Sequence, residues 1–156
     1  MKIPFCSPIE SKRFTQYLHS RYGIPLPVMK DWKWIVHQGN AHVVSSQGAS
    51  WAGTKANLFA LGLQVFTDIK TFAPTSTFIA LMGEHIVQNR IELSDTQLES
   101  FFARKKIGRE YVKEKSVLSD GWVAVSLKGK VIGSADLTRN HLIPNLPGQG
   151  HDAHDE

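Results

Sequence analysis

The stretch Gly121-Trp122-Val123-Ala124-Val125-Ser126-Leu127-Lys128-Gly129-Lys130-Val131-Ile132-Gly133, continuing Ser134-Ala135-Asp136-Leu137-Thr138-Arg139-Asn140-His141-Leu142-Ile143-Pro144, decides the fold. Trp122 and the run Val123 to Leu127 read as one strand, rich in β-branched and aromatic residues. Lys128-Gly129 supplies a tight turn with a glycine that tolerates positive φ, and Lys130 to Leu137 returns as the partner strand. Gly133 inside the return predicts a bulge or a close backbone approach. Arg139-Asn140-His141 then leaves the pair as a polar, basic exit.

Just upstream, residues 104–115 read RKKIGREYVKEK, with six basic and two acidic residues. The net charge of the whole chain is +4, and this segment alone carries that much. The last six residues hold three acids and no Lys or Arg. A basic stripe on an otherwise neutral body is the electrostatic footprint of a phosphate-backbone binder, although a solvated charged loop has the same composition. Ser94 with Gln97 forms a capping box before it, and Leu98, Phe101 and Phe102 predict the buried face of the helix that follows. Cations just beyond a helix C-terminus also complement its dipole, which gives part of the cluster a structural role.

Further outward, Asn89 to Leu93 reads as a short strand. Pro74-Thr75-Ser76 opens a helix with Phe78, Leu81 and Met82 inward and Gly83 as its stop. Leu63 to Ile69 reads as a strand. Before it, Ser50 as cap and Ala56, Phe59, Ala60 and Leu63 at helical spacing predict a helix ending near Gly62. Residues 31–46 read as a β-hairpin with Trp32, Trp34 and Val36 alternating, turning near Gln38-Gly39-Asn40. Ser7-Pro8-Ile9-Glu10 caps a first helix with Phe14, Tyr17 and Leu18 on one face, and Gly23, Pro25 and Pro27 end it. Residues 148–156 read as a disordered tail.

A chain of 156 residues with 42% apolar content suits one compact domain or two halves sharing a core. No apolar run approaches the ~18 residues of a membrane span, and the N-terminus lacks a secretory h-region. Cys6 is the single cysteine, which excludes an intrachain disulfide and fits a reducing cytosol. These readings predict a cytoplasmic protein without membrane contact.

Catalytic constellations do not assemble from the sequence. His37 and His42 flank the hairpin turn without an evident third metal ligand. Cys6 near a helix start lacks an assigned His partner. Ser45, Ser46 and Ser50 lack a nucleophile elbow, and Gly48 and Gly53 lack the following Gly-Lys-[ST] of a phosphate loop. Asp31 and Asp68 have no readable pairing. The tryptophans 32, 34, 51 and 122 suit either base stacking or core packing. No enzyme activity, cofactor or metal is expected.

An ordered set of segments over residues 62–147 resembles a PUA-like domain. It is similar to the one appended to Sun-family RNA 5-methylcytosine methyltransferases, and to small ribosome-assembly proteins that pair an αβ half with a C-terminal PUA domain. The match is carried by Gly62-Leu63-Gln64-Val65, Phe72-Ala73-Pro74-Thr75, Ile91-Glu92-Leu93-Ser94 with Leu98 and Phe102, Gly121-Trp122-Val123, Gly129, Ile132-Gly133, and Arg139-Asn140-His141 with Pro144. Two places depart from the family pattern. Phe102-Ala103-Arg104-Lys105-Lys106 replaces a Leu-x-Gly-Glu, and Asn145-Leu146-Pro147-Gly148 replaces a Lys-Gly-x-Arg. No S-adenosylmethionine site precedes the domain.

The resemblance implies an α+β fold: an αβ half over 1–84, a PUA-like β-barrel with short helices over 85–147, and a tail over 148–156. It implies a stand-alone RNA-binding module that takes part in rRNA or tRNA processing or modification. The partner would be structured RNA, with an RNA-modification enzyme or ribosome-assembly factor beside it. The candidate nucleic-acid-binding residues are Arg104, Lys105, Lys106, Arg109, Lys113, Lys115, Arg139, Asn140 and His141. The competing reading is a protein-interaction adaptor that keeps the barrel without binding RNA.

Overall fold

The computed structural model describes residues 5–45 and 62–147. The helix expected after Ser50 and the tail over 148–156 lie outside the described residues. The chain is a mixed α+β protein that divides into two compact units, Met1–Ser20 with Ile24–Pro74, and Arg21–Gly23 with Thr75–Glu156. No helix among the described residues is long and apolar enough to cross a membrane.

Helix α1 (Pro8–Tyr22) lies in the first unit up to Ser20, and its last residues, Arg21 and Tyr22, belong to the second. The Ser7 hydroxyl accepts the Glu10 amide at 3.2 Å, as the sequence predicts. Phe14 and Leu18 are buried. Pro25 and Pro27 allow one further 3-10 turn, Leu26–Met29, but no continued helix. Strands β1 (Trp32–His37) and β2 (Asn40–Ser45) form the expected hairpin, turning through Gln38 and Gly39 at φ +51° and +79°. With β3 (Leu63–Asp68) and β4 (Ala73–Pro74) they make an antiparallel sheet in the order β1-β2-β3-β4. Phe14, Trp34 and Phe66 meet in its core, with Trp34 and Phe66 stacked at 6.0 Å. Each such ring contributes about 2–3 kcal/mol through burial.

His42 on β2 carries a pH dependence. Burial, and secondarily the neighbouring His37, push its pKa below the ordinary 6.5. The native state therefore takes up the His42 proton at lower pH than the unfolded chain, which does so near 6.5. This contribution to stability is complete above pH 6.5 and is lost as pH falls below it. Urea titrations should give wild-type protein a steeper loss between pH 7 and 5 than His42→Gln. Equal slopes would remove His42 from the acid response.

The second unit is built on a six-stranded mixed sheet that curls into a half-barrel. Its strands are β5 (Arg90–Leu93), β6 (Ile107–Gly108), β7 (Lys113–Lys115), β8 (Gly121–Leu127), β9 (Lys130–Leu137) and β10 (His141–Asn145), in the order β6-β10-β9-β8-β5-β7. Among the described strands of this sheet, only β5 and β8 run parallel. The β8–β9 hairpin is where the sequence predicts it, with Lys128 and Gly129 at φ +51° and +81°. Val125 faces Gly133 while Ser126 faces Val131, so Ile132 is the extra residue of a bulge. Ile91, Leu93, Phe101, Ile107, Val123, Val125, Ala135, Leu137 and Leu142 form one buried cluster.

Helices α2 (Ser76–Leu81) and α3 (Asp95–Phe102) complete this unit. Thr75 caps α2, and the Ser94–Gln97 capping box opens α3 as expected. Two inward assignments are corrected: Leu81 is 60% and Phe102 57% exposed. At about 100° per residue, the buried arc of α2 runs through Ser76, Phe78 and Ile79 and leaves Leu81 on the far side. Phe102 is one residue, hence about 100°, past the buried Phe101.

Ser76 ties α2 to the sheet. Its hydroxyl accepts the Ser134 amide at 2.8 Å and donates to the Asn145 carbonyl. Gly133 is what permits the approach, since a Cβ there would lie 2.9 Å from Ser76 Oγ and 3.3 Å from Phe101 Cζ. Gly133→Ala should therefore lower stability by about 1–3 kcal/mol through overpacking. An unchanged urea midpoint would show that β9 and α2 separate without cost.

Candidate nucleic-acid interface

The sequence leaves residues 104–115 as a basic loop and residues 139–144 as an exit. Both assignments are corrected. The basic segment contributes two edge strands, β6 and β7, joined by a 3-10 turn over Arg109–Tyr111. The exit turns back and enters the sheet as β10, between β9 and β6. Pro144 is tolerated there because β6 pairs only with His141 and Leu142, leaving the stretch around Pro144 without a neighbouring strand on that side among the described residues.

This connection forces the curl. Laid flat, a six-stranded sheet places its outer strands about 24 Å apart. The five chain steps from Gly108 on β6 to Lys113 on β7 reach at most roughly 18 Å. The two ends of the sheet must bend toward each other.

Arg109 fastens the place where they meet. Its amide donates to the Asn140 carbonyl at 2.9 Å. Its guanidinium donates to Asp120 at 2.6 Å, to the Thr138 carbonyl at 3.2 Å and to Glu114 at 3.0 Å. The hydrogen bonds that Arg109 donates to Glu114 and then to Asp120 hold its pKa above the ordinary value. One side chain thus joins β7, the approach to β8 and the β9–β10 turn. Its charge is matched by two carboxylates.

The β9–β10 turn is closed by Thr138. Its amide donates to the His141 carbonyl at 2.8 Å, and its hydroxyl accepts the His141 amide at 3.1 Å. Arg139 and Asn140 sit exposed at the tip, and the exposed His141 pairs with Gly108 of β6. The basic segment and the Arg-Asn-His trio, some 30 residues apart in sequence, are therefore adjacent in the fold.

The remaining cations have different surroundings. Arg104, at φ +62°, donates to the Leu146 and Pro147 carbonyls, which leaves its charge unneutralised. Lys105 is exposed and Lys106 partly so. Lys113 and Lys115 are exposed and share one face of β7 by the two-residue strand period, with Glu114 on the other face toward Arg109. Lys105, Lys113, Lys115 and Arg139 form no ion pair among the described residues.

One further residue belongs with this set. Tyr111 is 74% exposed, lies between Arg109 and Lys113, and rests its ring against Gly108. An aromatic inside a basic run was the available sequence signal.

Other candidate chemistry stays apart. Burial and then Glu10 push the Cys6 thiol above its ordinary range, which disfavours the thiolate. No group of three or more His, Cys, Asp or Glu side chains is placed to hold a metal ion among the described residues. No protein-family model and no curated protein sequence matches the chain.

Proposed function

We propose that the second unit is a PUA-like RNA-binding module that engages structured RNA, rRNA or tRNA, in the cytoplasm during RNA processing or modification. The observation that carries this reading is the meeting of Arg104–Lys115 with Arg139–His141 around the clasp at Arg109. Lys105, Lys106, Lys113, Lys115 and Arg139 supply cations toward backbone phosphates. Arg104 contributes charge while holding the chain after β10. Asn140 and His141 offer donors for sugar or base edges, and Tyr111 offers a stacking surface. Arg109 acts by fixing this arrangement, because both of its terminal guanidinium nitrogens are already engaged.

The test is titration of isotope-labelled protein with a tRNA or an rRNA stem-loop, followed through backbone amides. Shifts should concentrate in residues 104–115 and 138–141. Binding with shifts elsewhere would move the interface. Absence of binding at low salt would favour the adaptor reading, in which a protein partner is retained after nuclease treatment.

A further inference from the structure

A second candidate site lies within the first unit, far in sequence from the basic rim. It is an open groove of about 310 Å³ lined by Ser11, Lys12, Thr15 and Gln16 of α1, Leu26, Met29 and Lys30 around the following 3-10 turn, and Trp32 and Trp34 of β1. The α1 residues share one face by their spacing of one, four and five. The volume sits at the lower end of the roughly 300–1,000 Å³ typical of small-ligand clefts, enough for one compact molecule.

Its chemistry is two-sided. Trp32 is half-buried, Trp34 is buried, and the two rings meet edge-on at 6.1 Å. With Leu26 and Met29 they form an apolar, aromatic wall. Lining the same groove are Lys12 and Lys30, both exposed and in no ion pair among the described residues, with Gln16 and the Ser11 hydroxyl also uncommitted there. Among the described residues, no acidic side chain lines the groove. The indole N–H of Trp34 is buried and has no acceptor among the described residues, an open donor in a groove-lining residue.

We infer that this groove binds a nucleoside monophosphate unit. Trp32 provides the stacking surface for the base, Lys12 and Lys30 bind the phosphate, and Gln16 and Ser11 supply hydrogen bonds to base or ribose. The same unit could come from a free nucleotide or from the phosphorylated end of an RNA chain. Different residues in a different unit carry this inference, so it stands or falls apart from the RNA-binding rim.

The test is calorimetric titration of the full chain with each of the four 5′-monophosphates, their unphosphorylated nucleosides, and inorganic phosphate. At least one nucleotide should bind in the high-micromolar to millimolar range, with its nucleoside and inorganic phosphate each at least about tenfold weaker. Lys12→Gln with Lys30→Gln should weaken binding roughly tenfold, the scale expected for two exposed charge contacts. Both lysines are exposed, so the fold should persist, and an unchanged melting profile confirms it. Trp32→Leu should remove base discrimination. A 5′-phosphorylated ten-nucleotide RNA that displaces the nucleotide identifies an RNA end as the source, whereas failure to displace identifies the free nucleotide. Absence of binding by all four nucleotides up to about 10 mM, or binding untouched by the lysine pair, overturns the inference.

Discussion

Asn89→Ala should destabilise the protein by about 3–4 kcal/mol, the largest effect expected of any single polar substitution here. Asn89 is 2% exposed and sits at φ +55°, in the left-handed region where Asn is tolerated and Ala strained. Its side-chain oxygen accepts the Leu118 amide at 2.9 Å and the Ser119 amide at 3.4 Å, and its side-chain nitrogen donates to the Arg21 carbonyl. Its own amide donates to Ser116, and its carbonyl accepts from Ala124 at the start of the β5–β8 pairing. One residue thus satisfies the loop before β8, the end of α1 and the entry to β5. Alanine leaves buried donors and acceptors open and adds backbone strain. Asn89→Gly separates the two terms, because glycine relieves the strain, about 1 kcal/mol, without restoring the bonds. Urea denaturation of both variants is the measurement. A loss below about 1 kcal/mol for Asn89→Ala would show that water replaces the network.

The second large effect concerns binding. Replacing Lys105, Lys106, Lys113, Lys115 and Arg139 together by Gln should weaken RNA binding by roughly two orders of magnitude at low salt. All five are at least partly exposed. Four of them, Lys106 apart, enter no ion pair among the described residues, so the fold should persist. Arg109→Gln should behave differently. It removes the clasp while leaving Glu114 and Asp120 without their partner, and so lowers stability by about 1–2 kcal/mol together with affinity. A stable, non-binding variant and a less stable one would distinguish contact from support. If the five-fold variant binds as tightly as wild type, the rim is not the RNA surface.

The sequence made visible whatever short-range chemistry encodes. Gln38-Gly39 and Lys128-Gly129 mark two-residue turns because positive φ at both positions has a strong residue preference. Ser94 and Gln97 mark a helix start because the capping box is complete within four residues. Gly133 signals both the bulge and the close approach. The strands β6 and β7 were hidden, since two or three residues, charged in β7, show no hydrophobic period and exist by virtue of partners on distant strands. β10 was hidden by Pro144, which argues against a strand until its open side is known.

The candidate site divides the same way. The two basic stretches were legible as composition, but their adjacency depends on the β6–β10 pairing and the Arg109–Asn140 bond. The role of Arg109 was not legible, because its acceptors stand 5, 11 and 29 residues away in sequence. The outward turn of Phe102 and Leu81 likewise depends on how each short helix is set onto the sheet.

The most direct test of the RNA-binding rim is the dependence of affinity for a structured RNA on salt concentration, compared between wild type and the five-fold Gln variant. Each lost phosphate contact should lower the slope of log Kobs against log salt by about 0.7–0.9, so the variant's slope should be shallower by roughly 3.5–4.5 if all five side chains contact phosphate. Equal slopes for the two proteins would mean that these five side chains do not contact phosphate, and would contradict the account.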